Sequence, residues 1–167
     1  MTAVAPVPQF SGHRYFNPAQ HAQLQAVLEA IWPGSANNPG ATDAGAADYV
    51  DQLLAMPDSV YYDLANWRSM YVAGLAMLAG ASAARLSVPF EELTVAQMTQ
   101  LLADLAAGTL PGFPSDTWQK TFFATLRAHC IEGCLADPRW GGNRENVIWD
   151  WLGYPRGGAH EFERVTP

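Results

Sequence analysis

Residues 126–143 read LRAHCIEGCLADPRWGGN and are the most informative stretch of the chain. An apolar helical run ends at Asp137 and Pro138, because proline cannot continue a helix and biases the preceding residue away from helical angles. Gly141 and Gly142 then supply backbone conformations that a side chain forbids, and we expect a positive φ at one of them. The stretch contains no nucleophile paired with a base. It predicts a sharply specified loop at the end of a buried helix.

The composition is that of a globular chain with few charges. Of its 167 residues, 49% are hydrophobic and 15% are charged, whereas roughly 25% of residues are charged in an average domain. The length fits one domain with a sizeable core. Six tryptophans, six tyrosines and seven phenylalanines add aromatic surface, which is enriched in protein interfaces. Two interpretations stay open: an alanine-rich helical protein with a large core, or a surface that an obligate partner covers.

Several classes of partner are disfavoured by the distribution of charge. The net charge is −7, and the nine lysines and arginines are scattered without a basic run. We therefore expect no nucleic-acid partner and no attraction to an anionic membrane. The longest charge-free apolar stretch, residues 69–84, is too short and too weakly apolar to predict a direct membrane span.

The N-terminus and the cysteines bear on the cellular compartment. The first residues show neither a signal peptide nor twin arginines, so the expected location is cytoplasmic, or periplasmic if a signal was removed or lies on a partner. Cys130 and Cys134 lie four residues apart in a helical run, where a disulfide is awkward. We expect two small buried thiols. No haem-attachment motif accompanies them.

The hydrophobic periodicity predicts an all-α fold, a single-domain bundle of five or six helices with irregular N- and C-terminal arms. The N-terminal arm covers residues 1–16, the helical domain 17–153 and the C-terminal tail 154–167. Expected N-caps are Asn17, Thr94 and Ser115. The predicted helices run over 18–32, 43–56, 60–86, 95–107, 116–136 and 145–152.

Two of these helices are predicted to be mostly buried. The second half of the 60–86 helix is apolar nearly all round, which is typical of a buried element. The 116–136 helix is expected to expose only a narrow stripe marked by Lys120 and Arg127. Phe10, Tyr15 and Phe16 suggest that the N-terminal arm lies against another surface.

His129 and Glu132 lie three residues apart and therefore share one helix face. One functional interpretation is that the two side chains form half of a metal site or an acid–base pair. A di-metal bundle needs several such pairs, and the other histidines have no ligand at metal-binding spacing. The structural interpretation is that both side chains hydrogen-bond to the 137–143 loop, since buried polar groups need partners. We expect no metal site.

The Gly141-Gly142-Asn143 segment invites comparison with nucleotide-binding loops. Its backbone amides could cradle an anion ahead of a helix. However, a dinucleotide fingerprint needs a preceding strand and three spaced glycines, and neither occurs here. No P-loop or nucleophile elbow is present either. We therefore expect no catalytic residue and no cofactor bound by this chain.

The run H-x-x-E-G-x-x-x-D-P-x-W-G-G-N resembles the signature of the gluconate 2-dehydrogenase subunit 3 family. Weaker features agree with it: the helix that ends at Pro33, a D-Y-V-D-x-L-L segment over 48–54, G-L-A-M-L over 74–78 and W-x-x-L-G-Y-P over 149–155. The resemblance covers roughly residues 20–155. Its matching residues are His129, Glu132, Gly133, Asp137, Pro138, Trp140, Gly141, Gly142 and Asn143.

The resemblance implies a non-catalytic small subunit of an oxidoreductase complex that acts on CH–OH groups. The chain would bind and stabilise a large FAD-dependent dehydrogenase of the glucose–methanol–choline type, which oxidises a sugar, sugar acid or glycoside. FAD would reside in that partner, and a cytochrome c subunit often takes the electrons in such complexes. The resembling residues other than Gly133 would be partner-binding or loop-defining, with Trp140 as the best anchor candidate.

Two other functions stay open from the sequence. The chain would be a transient assembly or export chaperone for that flavoprotein if it leaves after cofactor insertion. Alternatively, it would be a free-standing helical enzyme that uses His129 and Glu132, with Asp137 as a further candidate.

Overall fold

The computed structural model describes residues 14–59 and 62–154, and that part of the chain contains helices and no strand, as predicted. It has seven α-helices where five or six were expected. Short 3-10 turns cover Phe90–Glu92, Pro138–Trp140 and Arg144–Asn146. The helices are α1 (Pro18–Ile31), α2 (Ala41–Ala44), α3 (Ala46–Leu54), α4 (Leu64–Leu86), α5 (Val95–Ala107), α6 (Asp116–Leu135) and α7 (Val147–Leu152).

The three expected N-caps are confirmed. Asn17 accepts a hydrogen bond from the backbone of Gln20 at 2.9 Å, and the Gln20 side chain accepts one from the Asn17 backbone. The side chains of Thr94 and Ser115 likewise accept the backbone N–H three residues on. These caps satisfy amides that the first helical turn leaves without partners.

The seventh helix arises because the predicted 43–56 helix is split at Gly45. This residue has a φ of +69° and ends α2, and α3 starts directly after it. The turn brings Gly45 so close to Arg144 that an added Cβ would lie 2.9 Å from the guanidinium. Two predicted boundaries also move: α4 begins at Leu64 rather than 60, and α7 begins at Val147 because Glu145 and Asn146 have positive φ.

Helix α6 is the centre of the fold and contacts α1, α2, α3, α4, α5 and α7. Its Phe122 and Leu126 are fully buried, as is Tyr71 of α4. Gly74 allows α4 and α6 to pack closely, because a Cβ at that position would overlap the Phe122 ring. The close crossing therefore depends on a missing side chain.

The predicted burial of α4 and α6 is wrong in part. Only 33% of the most apolar window of α4 is buried, and its outer face leaves Val72, Ala76 and Gly80 exposed. Helix α6 exposes a whole face rather than a narrow stripe. The error has a physical origin, because alanine and glycine are apolar yet small and occur on both buried and exposed faces. The sequence of an alanine-rich helix therefore does not distinguish its exposed face from its buried face.

Helix α4 is also the one described helix that is long and apolar enough to cross a membrane, with a mean hydropathy of 1.2. Length and composition alone are weak evidence for a span, because the core helix of a globular domain meets the same criteria. Tyr71, Leu75 and Leu78 place one face of α4 in the protein interior. The absence of a membrane span stays a prediction.

The end of the N-terminal arm packs against α3, as expected for Tyr15 and Phe16. Phe16 belongs to the core, and the fully buried carboxylate of Asp51 accepts the backbone N–H groups of both residues, at 2.7 and 2.8 Å. Phe10 lies outside the described residues, as do most of the predicted arm and tail. The proposed domain boundaries therefore stay predictions.

Candidate functional site

The loop after α6 is held by its own backbone. Asp137 caps the 3-10 turn by accepting the amide of Arg139 at 3.1 Å, and Pro138 occupies the first position of that turn. Gly141 has a φ of +90°, so the expected positive φ is confirmed. The amide of Asn143 then donates to the carbonyl of Gly133 at 2.7 Å. The chain thus returns onto the helix that it has just left.

Two glycines make this return possible. A Cβ on Gly142 would overlap the carbonyl oxygen of Gly133 and lie 2.9 Å from its carbonyl carbon. Gly133 in turn faces α3, where an added Cβ would lie 3.0 Å from the Cα of Ala46. Helix α6, the loop and α3 therefore meet at backbone distance. This geometry explains both residues without reference to a ligand.

Asn143 joins the loop to α7. It is fully buried with a φ of +40°, and its side-chain oxygen accepts the amide of Ile148 at 2.9 Å. Its Nδ2 is buried and has no hydrogen-bond partner among the described residues. Trp149 donates from Nε1 to the carbonyl of Leu135 at 3.0 Å and so satisfies a terminal carbonyl of α6.

His129 lies in an aromatic setting on α6. Its Nδ1 is 3.0 Å from the hydroxyl of Tyr71, whose ring stacks on the imidazole at 5.8 Å, and Trp67 packs edge-on at 4.7 Å. Burial lowers the pKa of His129 from 6.5 to about 4 and raises the pKa of Tyr71 well above its usual value. His129 is therefore neutral at pH 7.

Glu132 is exposed, and its carboxylate accepts a hydrogen bond from the hydroxyl of Tyr49 at 3.2 Å. The hydrogen bonds predicted from His129 and Glu132 to the 137–143 loop are therefore wrong. His129 bonds instead to Tyr71 of α4, and Glu132 bonds to Tyr49 of α3. No sequence pattern linked them to tyrosines more than fifty positions away.

A shallow groove of about 570 Å³ runs along α6 beside these two residues. Its floor is made of small side chains, including Thr121, Ala124 and Ala128, and Trp67 of α4 forms part of the wall. Both His129 and Glu132 line it. The groove is open to solvent over its length, unlike an enclosed substrate pocket.

An acidic cluster on α3 escaped the sequence analysis. Asp48 receives hydrogen bonds from Arg14 and Arg144 and lies 3.0 Å from a ring nitrogen of His21. Burial would raise the pKa of Asp48, but the hydrogen bond and charge of Arg14, with the charges of His21 and Arg144, lower it overall. This carboxylate thus ties the arm, α1 and the 3-10 turn before α7 together.

The chemistry available at these residues is limited. A histidine with a pKa of about 4 is a poor general base at neutral pH. Cys130 and Cys134 are free and buried, and a hydrogen bond with Cys134, then burial, raise the pKa of the Cys130 thiol. Within residues 14–59 and 62–154, no group of three or more His, Cys, Asp or Glu could hold a metal ion. The absence of a metal site and the absence of catalysis both remain predictions.

Large exposed apolar side chains concentrate at one end of the described sequence. Trp151, Leu152 and Tyr154 are 48%, 55% and 44% exposed. Ile131 and Leu135 are exposed on the last turns of α6, against which α7 packs. We call these five residues the C-terminal apolar patch. Trp140 in the loop is only half-buried and has contacts of its own, so it is not the most accessible aromatic residue.

Fold and site together define a small all-α domain whose motif residues shape a loop around a central helix. The chain belongs to the gluconate 2-dehydrogenase subunit 3 family, whose sequence profile matches residues 18–157. The family is one of accessory subunits of dehydrogenase complexes, so membership implies a partner dehydrogenase subunit. Neither a curated protein nor a solved structure matches the chain.

Proposed function

We propose that this chain binds and stabilises a large FAD-dependent dehydrogenase subunit of the glucose–methanol–choline type, which oxidises a sugar, sugar acid or glycoside. The flavin and the catalytic base belong to that partner, and a cytochrome c subunit receives the electrons. The contribution of this chain is contact surface.

The observation that carries the proposal is the C-terminal apolar patch. Five of the eight large hydrophobic side chains exposed in the described residues fall within residues 131–154. Exposed tryptophan and tyrosine are the residue types that most often dominate binding energy in interfaces. A surface of this kind, in a family named for a subunit, supports docking to a partner.

The state of His129 supports a binding role over catalysis. Its ring is fixed by Tyr71 and Trp67 and is neutral at pH 7. No serine, cysteine or carboxylate is hydrogen-bonded to it among the described residues. A nucleophile needs a base within hydrogen-bond reach, so His129 lacks the neighbour that a hydrolytic site requires.

The test is coexpression of the chain with the dehydrogenase subunit encoded beside it, provided that this subunit carries a flavin-binding G-x-G-x-x-G. We expect a stoichiometric yellow complex, while the chain expressed alone is colourless. Trp151→Ser combined with Leu152→Ser should lower recovery of the complex at least tenfold. The matched control is Val95→Ser, which removes an even more exposed apolar side chain on α5 and should leave recovery unchanged.

Three results would contradict the proposal. A stoichiometric flavin band in the isolated chain would assign the cofactor to it. Turnover of a sugar by the isolated chain would make it an enzyme. A chain that raises the yield of active flavoprotein but is missing from the purified product would be a chaperone rather than a subunit.

A further inference from the structure

The exposed face of α6 has a regular spacing. Six of its exposed positions are spaced at intervals of four, three, four, three and four residues, and they carry only threonine, alanine, isoleucine or leucine. This 4-3 spacing keeps side chains in line along a helix and matches the seam of two helices that pack at a shallow angle. We call these residues the α6 stripe: Thr117, Thr121, Ala124, Ala128, Ile131 and Leu135.

A groove lies over the same face of α6. It follows α6 from Thr117 to Glu132, a length of about 22 Å at the rise of an α-helix. Trp67 walls part of it. An alanine and threonine floor lets a second backbone approach closely, and a groove four turns long suits a helix better than a compact ligand.

His129 offers a hydrogen-bond donor on this groove. Tyr71 keeps its proton because burial raises its pKa, and His129 Nδ1 is the one acceptor of that hydroxyl among the described residues. The remaining ring proton is therefore on Nε2. Nε2 has no hydrogen-bond partner in the described residues and is not one of their buried unpartnered atoms, so it faces the groove that His129 lines. A donor that faces a groove can bond to an acceptor on whatever occupies that groove.

Charge indicates which helix fits. Lys120 and Arg127 are exposed and seven residues apart on one flank of the stripe. In an antiparallel pair of identical helices these flanks would face each other, which is unfavourable. The exposed pair that Lys120 forms with Asp116 at 3.1 Å is weak enough to exchange. A helix with acidic residues on that side is therefore favoured over an antiparallel second copy of this chain.

We propose that the α6 stripe receives an amphipathic α-helix of the partner dehydrogenase subunit, with acidic residues facing Lys120 and Arg127 and an acceptor opposite Nε2 of His129. This inference rests on the proposed function and names the element through which the partner docks. The stripe ends in Ile131 and Leu135, so the helix site is continuous with the C-terminal apolar patch.

The experiment introduces a charge into the stripe of the coexpressed complex. Ala124→Glu should not destabilise α6, because the new carboxylate lies four residues after Lys120 and three before Arg127, at spacings where opposite charges attract. The matched control is Ala103→Glu, the same change at an exposed position of α5. We expect Ala124→Glu to raise the dissociation constant of the complex at least tenfold with an unchanged circular dichroism spectrum, and Ala103→Glu to leave both unchanged.

A photo-crosslinker attached at Ala124→Cys locates the occupant, with the wild-type chain as background for the two buried thiols. Crosslinks to one partner segment at helical intervals are expected. Normal assembly of Ala124→Glu would overturn the helix site while leaving the proposed function intact, because the Trp151 and Leu152 variant would still fail to assemble. Crosslinks to a second copy of this chain would show that the stripe mediates self-association and does not bind a partner helix. Failure of the wild-type chain to assemble would refute the proposed function itself.

Discussion

Gly142 in the loop and Gly80 on the outer face of α4 occupy opposite environments. A Cβ at Gly142 would overlap backbone of Gly133, whereas nothing lies within 4 Å of the position that a Cβ on Gly80 would take. The first glycine lies where three segments meet at backbone distance. The second lies on an apolar helix face that the described residues do not cover.

This difference separates residues that build the fold from residues that are free to meet another molecule. The motif residues Gly141, Gly142 and Asn143 form hydrogen bonds and contacts within the chain. The accessible apolar side chains, such as Ile131 and Trp151, are not part of that motif. A motif can therefore identify a family and still lie beside the interface that serves its function.

The largest effect is expected at the crowded glycine. Gly142→Ala should destabilise the fold by about 3 kcal/mol or more, because the new methyl group meets backbone that cannot rotate away. Gly141→Ala is the matched control, since its neighbour is the flexible side chain of Gln52 and its cost is the positive φ, about 1–2 kcal/mol. Urea unfolding measures both. Equal losses at the two positions would show that the loop yields to the methyl group.

Stability should depend on pH through His129. Its folded pKa of about 4 lies below the ordinary 6.5, so between these values the unfolded chain binds a proton that the folded chain does not. The associated stability is complete above pH 6.5 and decreases as the pH falls towards 4. The loss amounts to about 3 kcal/mol.

Unfolding at pH 7, 6 and 5 measures this dependence, with His129→Gln as the control that retains an acceptor for Tyr71. The difference in unfolding free energy between wild type and variant should shrink as the pH falls. A constant difference would mean that His129 has the same pKa in the folded and unfolded chains, and the lowered pKa described for it would then be wrong.

The sequence revealed much of the fold for identifiable reasons. Polar caps are local signals, so Asn17, Thr94 and Ser115 located three helix starts correctly. The helix break at Gly45 was missed because a glycine inside an apolar run does not by itself indicate a left-handed turn. The boundary of α7 was missed because Glu145 and Asn146 both have a positive φ, which is uncommon for residues other than glycine.

The candidate site was harder to predict than the fold. Loop geometry followed from local rules, and the positive φ at Gly141 is confirmed. The partners of His129 and Glu132 are Tyr71 and Tyr49, which tertiary packing brings near from distant positions. The exposed face of α6 was missed because alanine and threonine give no periodic contrast between buried and exposed positions.

A modest gain in stability is expected on the open helix face. Gly80→Ala should stabilise the protein by about 0.5–1 kcal/mol, because alanine reduces the freedom of the unfolded chain and meets nothing in the fold. Gly74→Ala is the control on the same helix, where the methyl group would overlap Phe122 and the sign should reverse. Thermal unfolding of the two variants tests both signs. A loss of stability at Gly80 would mean that this face is covered in the folded chain.

The smallest effect is expected at Glu132. From its sequence position alone, alanine there would cost about 1–3 kcal/mol if the carboxylate were buried. The side chain is exposed, and the hydrogen bond that it accepts from Tyr49 is long, at 3.2 Å. Glu132→Ala should therefore change the unfolding free energy by no more than about 0.5 kcal/mol. Tyr49→Phe, which removes the other half of the same hydrogen bond, should give an equally small change in urea unfolding. A loss above 1 kcal/mol in either variant would be on the order of a net buried hydrogen bond. It would show that this pair of residues stabilises the fold and does not belong to the open surface of α6.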